Sequence, residues 1–221
     1  MELTPFASWL NTTFAGFDFA ILSVLHGWAE AAGDVLTPFF RIISLFVDNG
    51  VFLLAGAALL LLFDKTRKMG LCVILAIAVG VLITNLAIKD IVMRPRPFES
   101  SIQYYDWWQF TGATMETSRS FPSGHATAAM AAMCALYFCN DKKKWWPVFI
   151  FVVLIGLSRN YLMVHYPTDV IGGIIVGTIA AACAYAIIQA VYRHAASHPE
   201  KRLSTILFES DIRHCFNRSA R

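Results

Sequence analysis

MGLCVILAIAVGVLITNLAI, residues 69–88, runs directly into KDIVMRPRP, residues 89–97. A helix needs about 20 mostly apolar residues to cross the hydrocarbon core of a bilayer, and it must satisfy its own backbone hydrogen bonds there. The stretch therefore predicts a membrane helix that ends on a cluster of cations. Four more stretches meet or approach this length: residues 47–63, 124–139, 145–164 and 167–191. The expected fold is all-α, a polytopic membrane helix bundle with five clear spans. Residues 1–46 are apolar but interrupted by Glu30, Gly33, Asp34, Pro38 and Arg41. They predict either a sixth, short span near residues 17–32, which the reading favours, or two interfacial helices lying flat.

Composition agrees with the membrane reading. Of 221 residues, 57% are hydrophobic and only 15% charged, with a mean hydropathy of +0.56, too apolar for an ordinary soluble domain. A net charge of +3, with no basic tract interleaved with aromatics, gives no footing for nucleic acid. The five cysteines, at 72, 134, 139, 183 and 215, lack metal-ligand spacing, so neither a disulfide framework nor a zinc site is expected. The N-terminal MELTPFASWLNTTF has no basic start or small-residue cleavage site, so the mature chain is expected to begin near Met1. One domain, 1–221, is the economical count, with residues 47–192 as its core and 193–221 as a cytoplasmic tail. In that tail Leu203, Ile206, Leu207 and Phe216 stand among basic residues, which suits a surface helix on anionic lipid or a disordered end.

The connections between spans set the orientation. Residues 64–68, 140–144 and the tail after Val191 hold twelve of the eighteen Lys and Arg residues, and the positive-inside rule makes their side cytoplasmic. The opposite side receives three segments: KDIVMRPRP at 89–97, RSFPSGHA at 119–126 and SRNYLMVHYPTD at 158–169. Any one of their charges could be a snorkelling side chain that fixes helix depth. Together, Lys89, Arg94, Arg96, Arg159, His125 and His165 with Asp169 as the main acid describe a cationic pocket for a multiply charged anion. Phosphate esters need donors for the non-bridging oxygens, an in-line nucleophile and a proton donor for the leaving group. Lys89, Arg96 and Arg159 supply the first. Ser123 and Gly124, at a helix start after Pro122, add backbone N–H groups. His165 and Asp169 are four apart, and Pro167 suits the first turn of a helix. Asp169 can then reach back toward His165, fix its tautomer and leave the other ring nitrogen bare. Arg94 precedes proline, as Arg96 does; in extended backbone the two side chains diverge, so Arg94 is expected at the rim as an auxiliary headgroup contact.

These segments resemble the type 2 phosphatidic acid phosphatase family of membrane lipid phosphatases. The family signature, K-x6-R-P, then P-S-G-H, then S-R-x5-H-x3-D, is matched at every defining position between Lys89 and Asp169. The resemblance implies that Lys89, Arg96 and Arg159 bind phosphate with Ser123 and Gly124. It further implies that His165 attacks phosphorus, Asp169 orients it and His125 protonates the leaving oxygen, without metal or cofactor. The expected activity is hydrolysis of a lipid phosphate or prenyl diphosphate at the outer face of the cell membrane, on undecaprenyl diphosphate or phosphatidylglycerol phosphate, with phosphatidic acid and lipid A phosphate also open. A lipid-headgroup or anion transporter using the same pocket is the alternative from another class. Residues 98–120, with Tyr104, Tyr105, Trp107, Trp108 and Phe110, are read as a long aromatic loop at the headgroup level, either guiding substrate or merely anchoring the chain.

Overall fold

The computed structural model describes residues 3–208 and is helical throughout its regular elements. The core is a bundle of α3 (Val51–Leu61), α4 (Asp64–Leu82), α8 (Gly124–Cys139), α10 (Val148–Tyr161) and α11 (Pro167–Ala196). Each of the five predicted spans is found as a helix. The second starts earlier than expected, because Asp64 accepts from the Lys65 N–H and stabilises the first turn. It then passes through a wider π turn at Ile83–Ile88 into α5 (Lys89–Val92) and stops at Met93, whose φ of +53° turns the chain into Arg94-Pro95-Arg96. By length and hydropathy, α2 (Ala15–Leu45), the segment Asp64–Ser100 and α11 qualify as crossing helices.

Small residues hold the centre together, as expected where lipid is as apolar as any side chain and close backbone approach drives association. The buried face of α8 is built largely from alanines, against Gly173, Gly177, Ala180, Ala181 and Ala184 of α11. A Cβ at Gly177 would lie 2.6 Å from the Thr127 carbonyl oxygen, and one at Gly173 would lie 2.6 Å from that of Ser123. Gly177→Val is therefore expected to force α8 and α11 apart at a cost of about 1–3 kcal/mol. Gly56→Val is the control, because a Cβ there meets nothing within 4 Å. Thermal unfolding in detergent checks this, and equal melting temperatures for the two variants would refute the close-packing account.

The N-terminal region holds a longer helix than the short span expected near residues 17–32. Helix α2 follows α1 (Pro5–Thr13) and is continuous except for a kink at Ala32 (φ −147°, ψ 30°). From Asp18 to Ser44 its partners all lie at one end of the bundle. Asp18 meets Thr168, His26 stacks on Trp107, Thr37 bonds to the Tyr161 hydroxyl, and Ser44 meets Arg159. A helix crossing the bilayer in parallel with the others would change levels over these 26 residues, so the contacts favour the flat alternative. Phe17, Val24, Trp28, Val35 and Phe39 face outward on it, an apolar surface suited to contact with lipid.

One further expectation is revised. Residues 98–120 are not a plain loop but contain α6 (Pro97–Ser100) and α7 (Ile102–Thr111). Ser101 caps α7 by accepting from the Tyr104 N–H, and Gly112, at φ +57°, ends it. Trp108 is buried against Phe98, while Tyr104 and Trp107 pack on Phe19 and His26 of α2. Arg41 of α2 donates to the carbonyls of Thr111 and Gly112, pinning the end of α7. At the far end of the bundle, α9 (Lys142–Trp145) carries the 142–144 cations. There α12 (Arg202–Phe208) is held by Arg67, which donates to the Ile206 and Leu207 carbonyls. Phe216 and Cys215 lie outside the described residues.

Candidate active site

The three charged segments meet at the end of the bundle that α2 covers. Pro167 opens α11, and Asp169, at its third position, accepts from the Tyr166 N–H at 2.9 Å. The same oxygen, Oδ2, accepts from the Ser120 hydroxyl and lies 3.4 Å from His165 Nδ1. On the other side of the ring, Arg96 Nη1 is 3.3 Å from His165 Nε2. A guanidinium can only donate, so Nε2 accepts and the ring proton sits on Nδ1, facing Asp169. Burial, followed by the charges of Arg96, Arg159 and Lys89, holds the His165 pKa well below the ordinary value of 6.5. The ring is neutral at pH 7 with Nε2 unprotonated.

Around it stand the other predicted residues. Arg96 leaves its extended turn toward His165, tied down by donation to the Val164 carbonyl at 2.8 Å. Arg159, in the last turn of α10, donates to Ser44 Oγ at 2.6 Å. Lys89, at the start of α5, is buried, and a Cβ at Gly124 would lie 4.0 Å from its Nζ. Ser123 caps α8: its carbonyl accepts from Thr127 N–H and its hydroxyl from Ala126 N–H, while its own N–H is taken by the Asp169 carbonyl. The first-turn donors left without an intrahelical partner are those of Gly124 and His125. Of the two expected backbone contributors, Gly124 offers an N–H, whereas Ser123 braces the turn against α11. His125 follows on the same turn, within electrostatic reach of His165 and 3.8 Å from Asp48 at its Nε2.

A cavity of about 1050 Å³ opens beside these groups. Lys89, Arg119, Gly124 and His125 line its polar end together with Asp48, Asp90 and Glu116, and Ile74, Ile77 and Val81 of α4 with Leu54 of α3 line its apolar end. Fifteen residues separate Lys89 from Ile74, so the cavity follows the helix for roughly 20 Å.

Sequence reasoning missed the residues that engage the cations. Glu116 bridges Arg159 and Arg96, and Ser118 Oγ accepts from Lys89 at 3.0 Å and from Arg96 at 3.1 Å. The Ser118 carbonyl accepts from Arg96 Nε at 2.8 Å. Burial alone would push the Glu116 carboxyl up, but Arg159 and Arg96 outweigh it and hold it below the ordinary carboxylate range. The segment 116–118 thus occupies donors of all three cations.

Arg94 is not at the rim. It is wholly buried and donates to Asp169 Oδ1 at 2.7 Å and to Asp18 Oδ2 at 2.9 Å. The divergence of Arg94 and Arg96 from extended backbone is as expected, but the side away from the pocket is core, because α1 and α2 cover it.

The family model for the PAP2 superfamily matches residues 68–193, more than half of the sequence, and the chain belongs to that superfamily. It is 31% identical over 121 residues to an undecaprenyl-diphosphatase of Sulfolobus acidocaldarius, covering 55% of this chain and 56% of that protein. It is 37% identical over 98 residues to the undecaprenyl-diphosphatase BcrC of Bacillus subtilis, covering 44% and 47%. The chain thus spans about half the length of these curated relatives. The crystal structure of a transmembrane PAP2 type phosphatidylglycerolphosphate phosphatase from Bacillus subtilis superposes with a TM-score of 0.64 at 24% identity, over 85% of this chain and 92% of that one. Aquifex aeolicus LpxE superposes with a TM-score of 0.57 at 23% identity, over 74% and 93%. The fold is that of a multi-pass membrane helix bundle.

Proposed function

We propose that the protein is a metal-independent lipid phosphatase that works through a phosphohistidine at the outer face of the membrane. The observation that carries this is the neutral, Asp169-bonded His165 with Arg96 against its unprotonated nitrogen, near a cavity that is polar at one end and apolar at the other. Lys89, Arg96, Arg159 and the Gly124 N–H hold the non-bridging oxygens of the terminal phosphate. His165 Nε2 attacks phosphorus, the bond to the lipid oxygen breaks, and His125 in its protonated form gives that oxygen a proton. His125 then takes a proton from water as the water oxygen attacks phosphorus, the N–P bond breaks, and inorganic phosphate leaves. The apolar length of the cavity suits a long prenyl or acyl tail. Undecaprenyl diphosphate and phosphatidylglycerol phosphate are the substrates that the similar proteins' names support. The outer face is supported by the cations within residues 64–68 and 140–144, at the end of the bundle opposite the site.

A transporter or headgroup binder would use the same cations, but it has no need of a histidine whose tautomer is fixed with Nε2 unprotonated. Purified protein with chelator present is expected to release phosphate from undecaprenyl diphosphate or phosphatidylglycerol phosphate. Binding of both lipids with no release from either would support the transporter instead.

A further inference from the structure

The cluster behind His165 holds more charge than orienting one imidazole requires. Arg94 Nε donates to Asn11 Oδ1 at 2.8 Å, and Nη1 donates to Thr168 Oγ1 and Asp169 Oδ1, each at 2.7 Å. Nη2 reaches Asp18 Oδ2 at 2.9 Å, and the guanidinium carbon lies 3.9 Å from the centre of the Tyr166 ring. Asp18 is 2% exposed and accepts from the Thr168 N–H at 3.0 Å and from its hydroxyl at 2.8 Å. The result is one guanidinium shared by two buried carboxylates, drawn from α2, the α5–α6 turn and α11.

Paired with Arg94 alone, Asp169 would form a neutral couple, and its field at His165 would be largely cancelled. Asp18 draws the same guanidinium the other way, so the trio keeps one net negative charge beside a ring that becomes cationic when its nitrogen bonds phosphorus. Interactions at this depth are little screened by solvent. We propose that Arg94 and Asp18 are positioning residues for the nucleophile: Arg94 fixes Asp169 Oδ1 so that Oδ2 faces His165 Nδ1, and Asp18 preserves the negative field that stabilises the phosphorylated ring. This rests on His165 being the nucleophile. It gives α2 a part in catalysis although Asp18 does not line the cavity and bonds to none of Lys89, Arg96 and Arg159.

The test uses the full chain in detergent, with phosphate release from the lipid substrate and inhibition by orthovanadate and by inorganic phosphate. Vanadate bonds to the nucleophilic nitrogen, whereas free phosphate needs only the cations. Asp18→Asn is expected to lower kcat about 10- to 100-fold, the size seen when partners that orient a functional histidine are removed. KM and phosphate inhibition stay near wild type, and vanadate inhibition weakens with kcat. Arg94→Lys is expected to retain more activity than Arg94→Gln, with the same split. Should Asp18→Asn fail to fold, the two Arg94 variants decide. Folded variants that turn over like wild type, or that lose phosphate and vanadate binding equally, overturn the proposal. A wild-type protein that releases no phosphate would instead mark failure of the phosphatase reading itself.

Discussion

His165→Ala is expected to lower phosphate release from the lipid substrate by at least about a thousandfold, because removal of a covalent nucleophile leaves only binding and electrostatic catalysis. The ring is already neutral and presents Nε2 as an acceptor, so no residue replaces what alanine removes. Lys89, Arg96 and Arg159 are untouched by the change, so binding of inorganic phosphate should survive. The decisive measurement is chemical as well as kinetic. Wild-type protein quenched during turnover should carry an acid-labile, base-stable phosphoryl group, and His165→Ala should carry none. With its pKa well below 6.5, His165 stays deprotonated through that value, so any loss of activity it causes in acid begins below pH 6.5. Near-normal turnover by the alanine variant would end the assignment.

His125→Ala is expected to cost about 10²- to 10⁴-fold on a lipid substrate, the usual contribution of a positioned acid–base group. Lipid alkoxides are poor leaving groups, and His125 stands on the cavity wall, where the proposed mechanism has that oxygen depart. An aryl phosphate, whose leaving oxygen needs no proton, should recover most of the first step. Phosphoenzyme should then accumulate, because the same imidazole is missing when water must be deprotonated. An equal loss on lipid and aryl substrates, with no accumulation, would assign His125 to binding alone.

Much of this site was legible because its chemistry is written in short segments. Lys89 and Arg96 follow one apolar run, Ser123 and Gly124 begin another, and His165 with Asp169 straddles a helix-opening proline. Local rules suffice for each. The partners of those residues were not legible. Asp18 and Arg94 are 76 residues apart, and Glu116 reaches Arg159 across 43. Nothing local marks such pairs, although a lone acid within FDFAIL at 17–22 is costly enough to have been a signal. Helix α7 was hidden differently. Its aromatic residues read as a membrane belt, and only the Ser101 cap and Gly112 mark its ends. Span positions followed hydropathy well, whereas α2 is apolar enough to cross and only its contacts show where it lies.

The bridging carboxylate of Glu116 and the hydroxyl of Ser118 give the phosphatase reading a selectivity that precedes any bond breaking. A visiting anion must outcompete groups tethered beside the three cations, and a chloride or a carboxylate carries no more charge than Glu116 does. A terminal phosphate, doubly charged and with three oxygens arranged to meet three cations at once, has the advantage in both number and strength. Common cytoplasmic or extracellular monoanions should therefore be weak competitors even at high concentration. On the proposed function, the resting arrangement would filter visitors by charge density, and the lipid tail need only hold the headgroup nearby long enough for that exchange to occur.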